Sequence, residues 1–179
     1  SLTNFFDKLD AKIFKSERVN THGGSIRVYI KKDKKVKIDA SVKKMLKEED
    51  SFGIKKYETY KKFGEKVYKI RENVLQNIKK LKSQNKKIIG FGAPAKATTA
   101  LNFFGIKDEI DFIVEDNKLK HKKFVPGVKI PIKSKSEIKN KDNILLVLAW
   151  NFYDSIKENN SNLSNKFVNI KSLETNNLK

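Results

Sequence analysis

The sequence predicts a three-layer α/β fold on a mostly parallel sheet, preceded by a lead-in of helix and β-hairpin. Three observations carry the prediction. Short apolar runs recur after residue 85, separated by stretches with helical spacing. The run "NILLVLAW", Asn143 to Trp150, is almost continuously apolar, as a strand covered on both faces must be. A glycine-bearing loop, "GFGAPA", joins the first of these strands to a helix. Strands alternating with helices at this spacing make βαβ units and hence a parallel sheet.

The elements follow in order. "SLTNFFDKLDAKIF" places Leu2, Phe5, Phe6 and Leu9 on one helical face. "SIRVYI", Ser25 to Ile30, alternates apolar and polar residues as a strand does, and "KKDKKVK" after it has the character of a charged strand end or hairpin tip. From Ile54 to Leu81, apolar residues recur every three or four positions, which predicts one long amphipathic helix or two joined near Gly64. "KKIIGF" is a short buried strand, Pro94 to Phe104 a helix closed by Gly105, and "IDFIVED" a second strand. "KIPI" is an extended piece after a Pro126-Gly127 turn, "FYDSIKEN" a helix and "KFVNI" a last strand. The change of grammar places the expected boundary near residue 85, with a lead-in over 1–85 and the α/β domain over 86–179.

Composition narrows the function classes. The chain has 179 residues, no cysteine and two histidines, so thiolate and histidine-rich metal sites are excluded. No membrane span or signal peptide is legible, and the expected setting is the cytoplasm. The first residue is Ser1, which fits a fragment or a processed product. A formal charge of +19 invites a nucleic-acid reading. Yet of forty basic residues only Arg18, Arg27 and Arg71 are arginines, and the lysines are spread along the chain with few aromatics between them. Specific nucleic-acid recognition favours the planar arginine fork, so solvated lysines explain the charge better.

The loop carries the chemistry. Gly90, Gly92 and Ala95 fit the G-x-G-x-x-G/A pattern of a Rossmann-like sheet. In that pattern the first glycine permits the turn, the second lets a ligand approach the backbone, and the third small residue lets helix and strand pack. A helix amino end offers free amides to a phosphate, and Lys96 could add a charge there or be one more solvated lysine. Glu115 and Asp116, about 25 residues after Gly90, occupy the place of an acid that holds ribose hydroxyls, unless they are ordinary caps of a strand end or turn. Trp150 could stack on a base or pack in the core. Asn151 could donate to a ligand or cap the next helix, with Asp154 completing a capping box. In "THGGSIRVY", paired glycines precede a strand and leave His22 available for hydrogen bonding or proton transfer, unless it is an ordinary turn histidine.

"THGGSIRVY", "GFGAPAKATTALNFFGI", "EDNKLKHKKFVPGVKIPI" and "LLVLAWNF" occur in an order that resembles the C-terminal half of the S-adenosylmethionine-dependent sugar C-methyltransferases. The resemblance runs over nearly the whole chain. It implies a nucleotide-diphosphate sugar as ligand, and an upstream zinc-binding region and methyl-donor domain as partners. The family's acid/base residues, a Glu-His motif with a nearby Ser-Tyr, precede the part that this chain resembles. Neither S-adenosylmethionine nor a metal is therefore expected to bind this chain, and methyl transfer by it alone is not expected. Matching positions are His22, Gly23, Gly24, Ser25 and Arg27, then Gly90, Gly92, Ala93, Pro94, Ala95 and Lys96, and later Asp116, Asn117, Pro126, Gly127, Trp150 and Asn151. Gly90 to Lys96 is the expected phosphate loop; no catalytic residue is expected in this chain, His22 being the one candidate. Ala97 replaces a glycine common in the family. Two other readings stay open, a stand-alone NAD-type dinucleotide module and a cationic nucleic-acid-binding module.

Overall fold

The computed structural model describes residues 2–21 and 23–175; His22, one of the expected site residues, lies outside them. The chain divides into two compact units, Ser1–Gly64 and Glu65–Lys179. The expectation of 85 follows the end of helical spacing, whereas the second half of the long helix buries Val74, Ile78 and Leu81 in the core of the second unit.

In the first unit, helix α1 (Leu2–Asp7) precedes an antiparallel hairpin of β1 (Lys12–Val19) and β2 (Ser25–Lys31), followed by helix α2 (Ala40–Phe52). The helix expected over residues 1–14 is thus confined to its first part. The Ala11 amide closes it on the Phe6 carbonyl, and Asp10 at φ 54 turns the chain into β1. Helix α2 was not expected from the sequence; Asp39 caps it by accepting from the Ser41 amide at 2.8 Å, and Gly53 ends it at φ 80. The charged stretch begins as the end of β2 at Lys31, one of the two expected roles, and is no hairpin tip. It leads to α2 through a turn in which Asp33 accepts from the Lys35 amide.

Helix α3 (Tyr57–Lys82) is continuous through Gly64, so the pattern from Ile54 makes one helix. The second unit then alternates β3 (Ile88–Phe91), α4 (Ala95–Phe104), β4 (Phe112–Val114), β5 (Ile132–Lys133), β6 (Ile144–Val147), α5 (Tyr153–Asn159) and β7 (Lys166–Asn169). The strands form one parallel sheet in the order β5-β4-β3-β6-β7.

Alternation along each strand assigns its residues to two faces. Ile88, Ile113, Ile144, Leu146 and Leu148 pack with Val74, Ile78 and Leu81 of α3 and with Ala97, Leu101 and Phe104 of α4. Ile89, Phe91, Val114, Leu145 and Val147 face the other way, toward Tyr153 and Ile156 of α5. The three layers follow from this two-sided burial, each large side chain contributing about 1.5–3 kcal/mol.

Among the buried polar side chains, Asn77 is the most enclosed. Asn77 of α3 is fully buried, and its Nδ2 donates to the carbonyls of Leu173 at 2.9 Å and Thr175 at 2.8 Å, tying the 3-10 segment Ile170–Glu174 to the helix. Among the described residues, no helix is long and apolar enough to cross a membrane.

Candidate functional site

In this strand order the chain leaves β3 toward β4 on one side and later resumes at β6 on the other. The connections after β3 and β6 therefore part company at their carboxyl ends, where open α/β sheets bind ligands. The loop after β3 is Gly92–Pro94, and the turn after β6 contains Ala149 and Trp150.

The glycines divide the work differently from the sequence expectation. Gly90 does not make the turn; it lies inside β3, where an added Cβ would stand 2.7 Å from Ile113 Cγ1 and 3.0 Å from Leu148 Cδ1. Gly92 makes it, at φ 85, a conformation that costs glycine little and other residues more. A Cβ there would also stand 3.0 Å from the Ala149 Cβ across the crevice. Pro94 precedes α4 without a side-chain cap, and Ala97 is buried, its methyl lying in the core.

The loop is held from the β4 side. The Gly92 amide donates to the Val114 carbonyl at 2.8 Å, and the Ala93 amide donates to Glu115 Oε2 at 2.9 Å. Glu115 Oε1 accepts from the amides of Asp116 at 3.0 Å and Asn117 at 3.1 Å. Lys120 Nζ lies 3.3 Å from Glu115 Oε2 and donates to the Ala93 carbonyl at 3.0 Å. Burial by itself pushes the Glu115 carboxyl up, but donation from Ala93, Asn117 and Lys120 outweighs it and holds the group below its ordinary range.

What remains for a ligand is the start of α4. The amides of Ala95 and Lys96 have no acceptor among the described residues, as expected for the first turn of a helix. Lys96 has no acidic partner among them either; its Nζ lies 4.7 Å from the Trp150 ring centroid, a cation over an aromatic face. Trp150 is half-buried and packs against the core, so both roles considered for it are compatible with its place.

Gly90, Gly92, Ala93, Pro94, Ala95, Lys96, Asp116, Asn117, Trp150 and Asn151 all belong to this end of the sheet. Asn117 is occupied, accepting from the Leu119 amide at 3.0 Å, and Asp116 pairs with Lys135 at 2.7 Å. Asn151 does not cap α5. It lies within a 3-10 turn, Trp150–Phe152, and Phe152 precedes the helix without a side-chain bond, so the expected capping box is absent. Pro126 and Gly127 are scaffold: the Pro126 carbonyl accepts from Asn102 Nδ2 at 2.9 Å, and a Cβ on Gly127 would collide with the Asn102 side chain. Gly23, Gly24, Ser25 and Arg27 belong to the first unit's hairpin, where Ser25 Oγ donates to the Thr21 carbonyl and Arg27 pairs with Glu17 at 2.9 Å.

Sequence reasoning missed Lys120 and Lys135, whose only signal is a lysine among many; of the two roles it left open for Glu115, a ribose carboxylate or a cap on the strand end and turn, the structure shows the cap. Among the described residues no group of three or more His, Cys, Asp or Glu is placed to hold a metal ion.

Residues 20–170 match the family described as C-methyltransferase C-terminal domain. The C-methyltransferase NovU of Streptomyces niveus is 30% identical over 164 residues, which are 89% of this chain and 39% of that protein. The chain thus spans well under half the length of this relative.

Proposed function

The chain belongs to the family of C-methyltransferase C-terminal domains, and from that premise we propose that it is the substrate-binding portion of an S-adenosylmethionine-dependent C-methyltransferase acting on a nucleotide-linked keto-deoxysugar. The observation that carries the proposal is the pair of unused amides on Ala95 and Lys96, with the Lys96 side chain, which has no acidic partner among the described residues, on the same helical turn, at the carboxyl end of a parallel sheet. Such a group of donors suits a diphosphate. A base or sugar would meet the part of the half-buried Trp150 ring that the core and Lys96 Nζ leave uncovered.

The residues of this chain bind and orient. Gly92 brings backbone close to the ligand, α4 meets the phosphates with its positive end, and Lys96 neutralises charge. Removal of the proton next to the ketone, and methyl transfer to the resulting enolate, belong to groups outside the described residues. S-adenosylmethionine is assigned to a methyl-donor portion upstream in the enzyme, as the family resemblance implies; of the two acids at the end of β4, Glu115 is already occupied by the loop. The same occupation speaks against the dinucleotide module. The proposal places the activity in the cytoplasm.

A calorimetric titration of the chain with thymidine diphosphate, NADH and a short DNA duplex at moderate salt tests this. Selective binding of the diphosphate, weakened by Lys96→Ala, is expected. Preference for NADH, or equal binding to all three that salt abolishes, would overturn the proposal.

A further inference from the structure

Dinucleotide-binding sheets offer a carboxylate to a ribose from the end of the strand next to the glycine loop. In this chain Glu115 stands there, immediately after β4, and its carboxylate is turned onto the chain itself. Oε2 accepts from the Ala93 amide at 2.9 Å and from Lys120 Nζ at 3.3 Å, and Oε1 from the amides of Asp116 and Asn117 at 3.0 and 3.1 Å. A carboxylate has about four lone-pair positions, and four donors meet them. Its side chain is only 14% exposed. Lys120 also reaches the Ala93 carbonyl at 3.0 Å, so both polar groups of Ala93 are held from the β4 side. The neighbouring acid, Asp116, is held less firmly: Lys135 meets its Oδ1 at 2.7 Å, and the side chain is 69% exposed.

We infer that Glu115 and Lys120 are positioning residues that lock the phosphate loop at Ala93, and that this lock leaves Glu115 unable to read the 2′-hydroxyl of a ribose. The inference rests on the reading of the crevice as a nucleotide-diphosphate site and deepens it. The ligand is a nucleoside diphosphate or its sugar ester, in deoxy or ribo form alike. A dinucleotide that depends on a free carboxylate finds none at Glu115. The lock keeps the Ala95 and Lys96 amides in one place before the ligand arrives, so that binding does not have to order the loop.

The test compares thymidine diphosphate with 5-methyluridine diphosphate, which differ by that hydroxyl alone, using emission from Trp150, the chain's one tryptophan. Wild type, Glu115→Asp and Glu115→Gln are titrated at a temperature where circular dichroism shows each of them folded. Wild type is expected to bind the two diphosphates within about twofold. Glu115→Asp keeps the charge but is one methylene too short to reach the Ala93 amide, and should lose about tenfold in affinity for both ligands. Glu115→Gln keeps the reach and one acceptor, and should recover part of that loss. A tenfold preference of wild type for the ribo form that Glu115→Gln abolishes, or folded variants that bind like wild type, would overturn the inference while leaving the nucleotide-site reading intact. No binding of either diphosphate by wild type would overturn that reading, and the inference with it.

Discussion

Replacing Gly90 by alanine separates the packing role of the first glycine from a role in ligand approach. The new Cβ would stand 2.7 Å from Ile113 Cγ1 and 3.0 Å from Leu148 Cδ1. Carbon atoms in good contact lie about 3.5–4.0 Å apart, so the overlap is severe on both sides. Ile113 and Leu148 are fully buried, and β3 is hydrogen-bonded to β4 and β6, so the backbone has little room to shift. Relief must come from side-chain torsions at about 0.5–1.5 kcal/mol each, within the roughly 1–3 kcal/mol typical of overpacking. Restricting the unfolded chain returns about 0.4–1 kcal/mol. The net expectation is a loss of about 1–2 kcal/mol, which for a unit of this size lowers Tm by about 4–8 °C. Thermal unfolding followed by circular dichroism reads the loss, and diphosphate affinity should stay within about threefold because the substitution leaves the free amides of α4 in place. An unchanged Tm with an affinity loss of tenfold or more would refute the reasoning and return Gly90 to the ligand.

Two further predictions concern buried polar groups. Asn77→Ala removes the donors to the Leu173 and Thr175 carbonyls, and urea unfolding should show a loss of about 1–2 kcal/mol, accompanied by faster amide exchange in the segment Ile170–Glu174. Glu115 has a folded-state pKa held below its ordinary value of 4.5, so its stabilising contribution is complete above that value and is lost as pH falls through the folded pKa. Wild type should therefore lose stability over this acid range more steeply than Glu115→Gln, and parallel pH profiles would contradict the assignment.

The α/β layers were legible because the sheet is buried on both faces. The continuous apolar run of β6 and the short run of β3 leave little choice of structure, and Gly105 at φ 74 ends α4 where the sequence places its end. The first unit was harder to read. Residues 40–52 carry lysine and glutamate among few apolar positions, with only Val42 buried, so the helical period of α2 is faint. Residues 12–19 carry charge on a strand with an irregular register near Ile13 and Lys15, which blurs the alternation. At the candidate site, the loop and the half-buried tryptophan were visible as residue types in a pattern. The inward turn of Glu115 was not, because spacing places a carboxylate near the loop without saying whether backbone or ligand fills it. Asn151 shows the same limit: a capping pattern is local, and the 3-10 turn at Trp150 that displaces it comes from the end of a buried strand.

The most direct measurement is amide and indole chemical-shift mapping of the chain during titration with thymidine diphosphate. The account predicts that the largest saturable changes fall on the Ala95 and Lys96 amides and the Trp150 indole. Small, unsaturable shifts spread over the lysine-rich faces of α2 and α3 would contradict it.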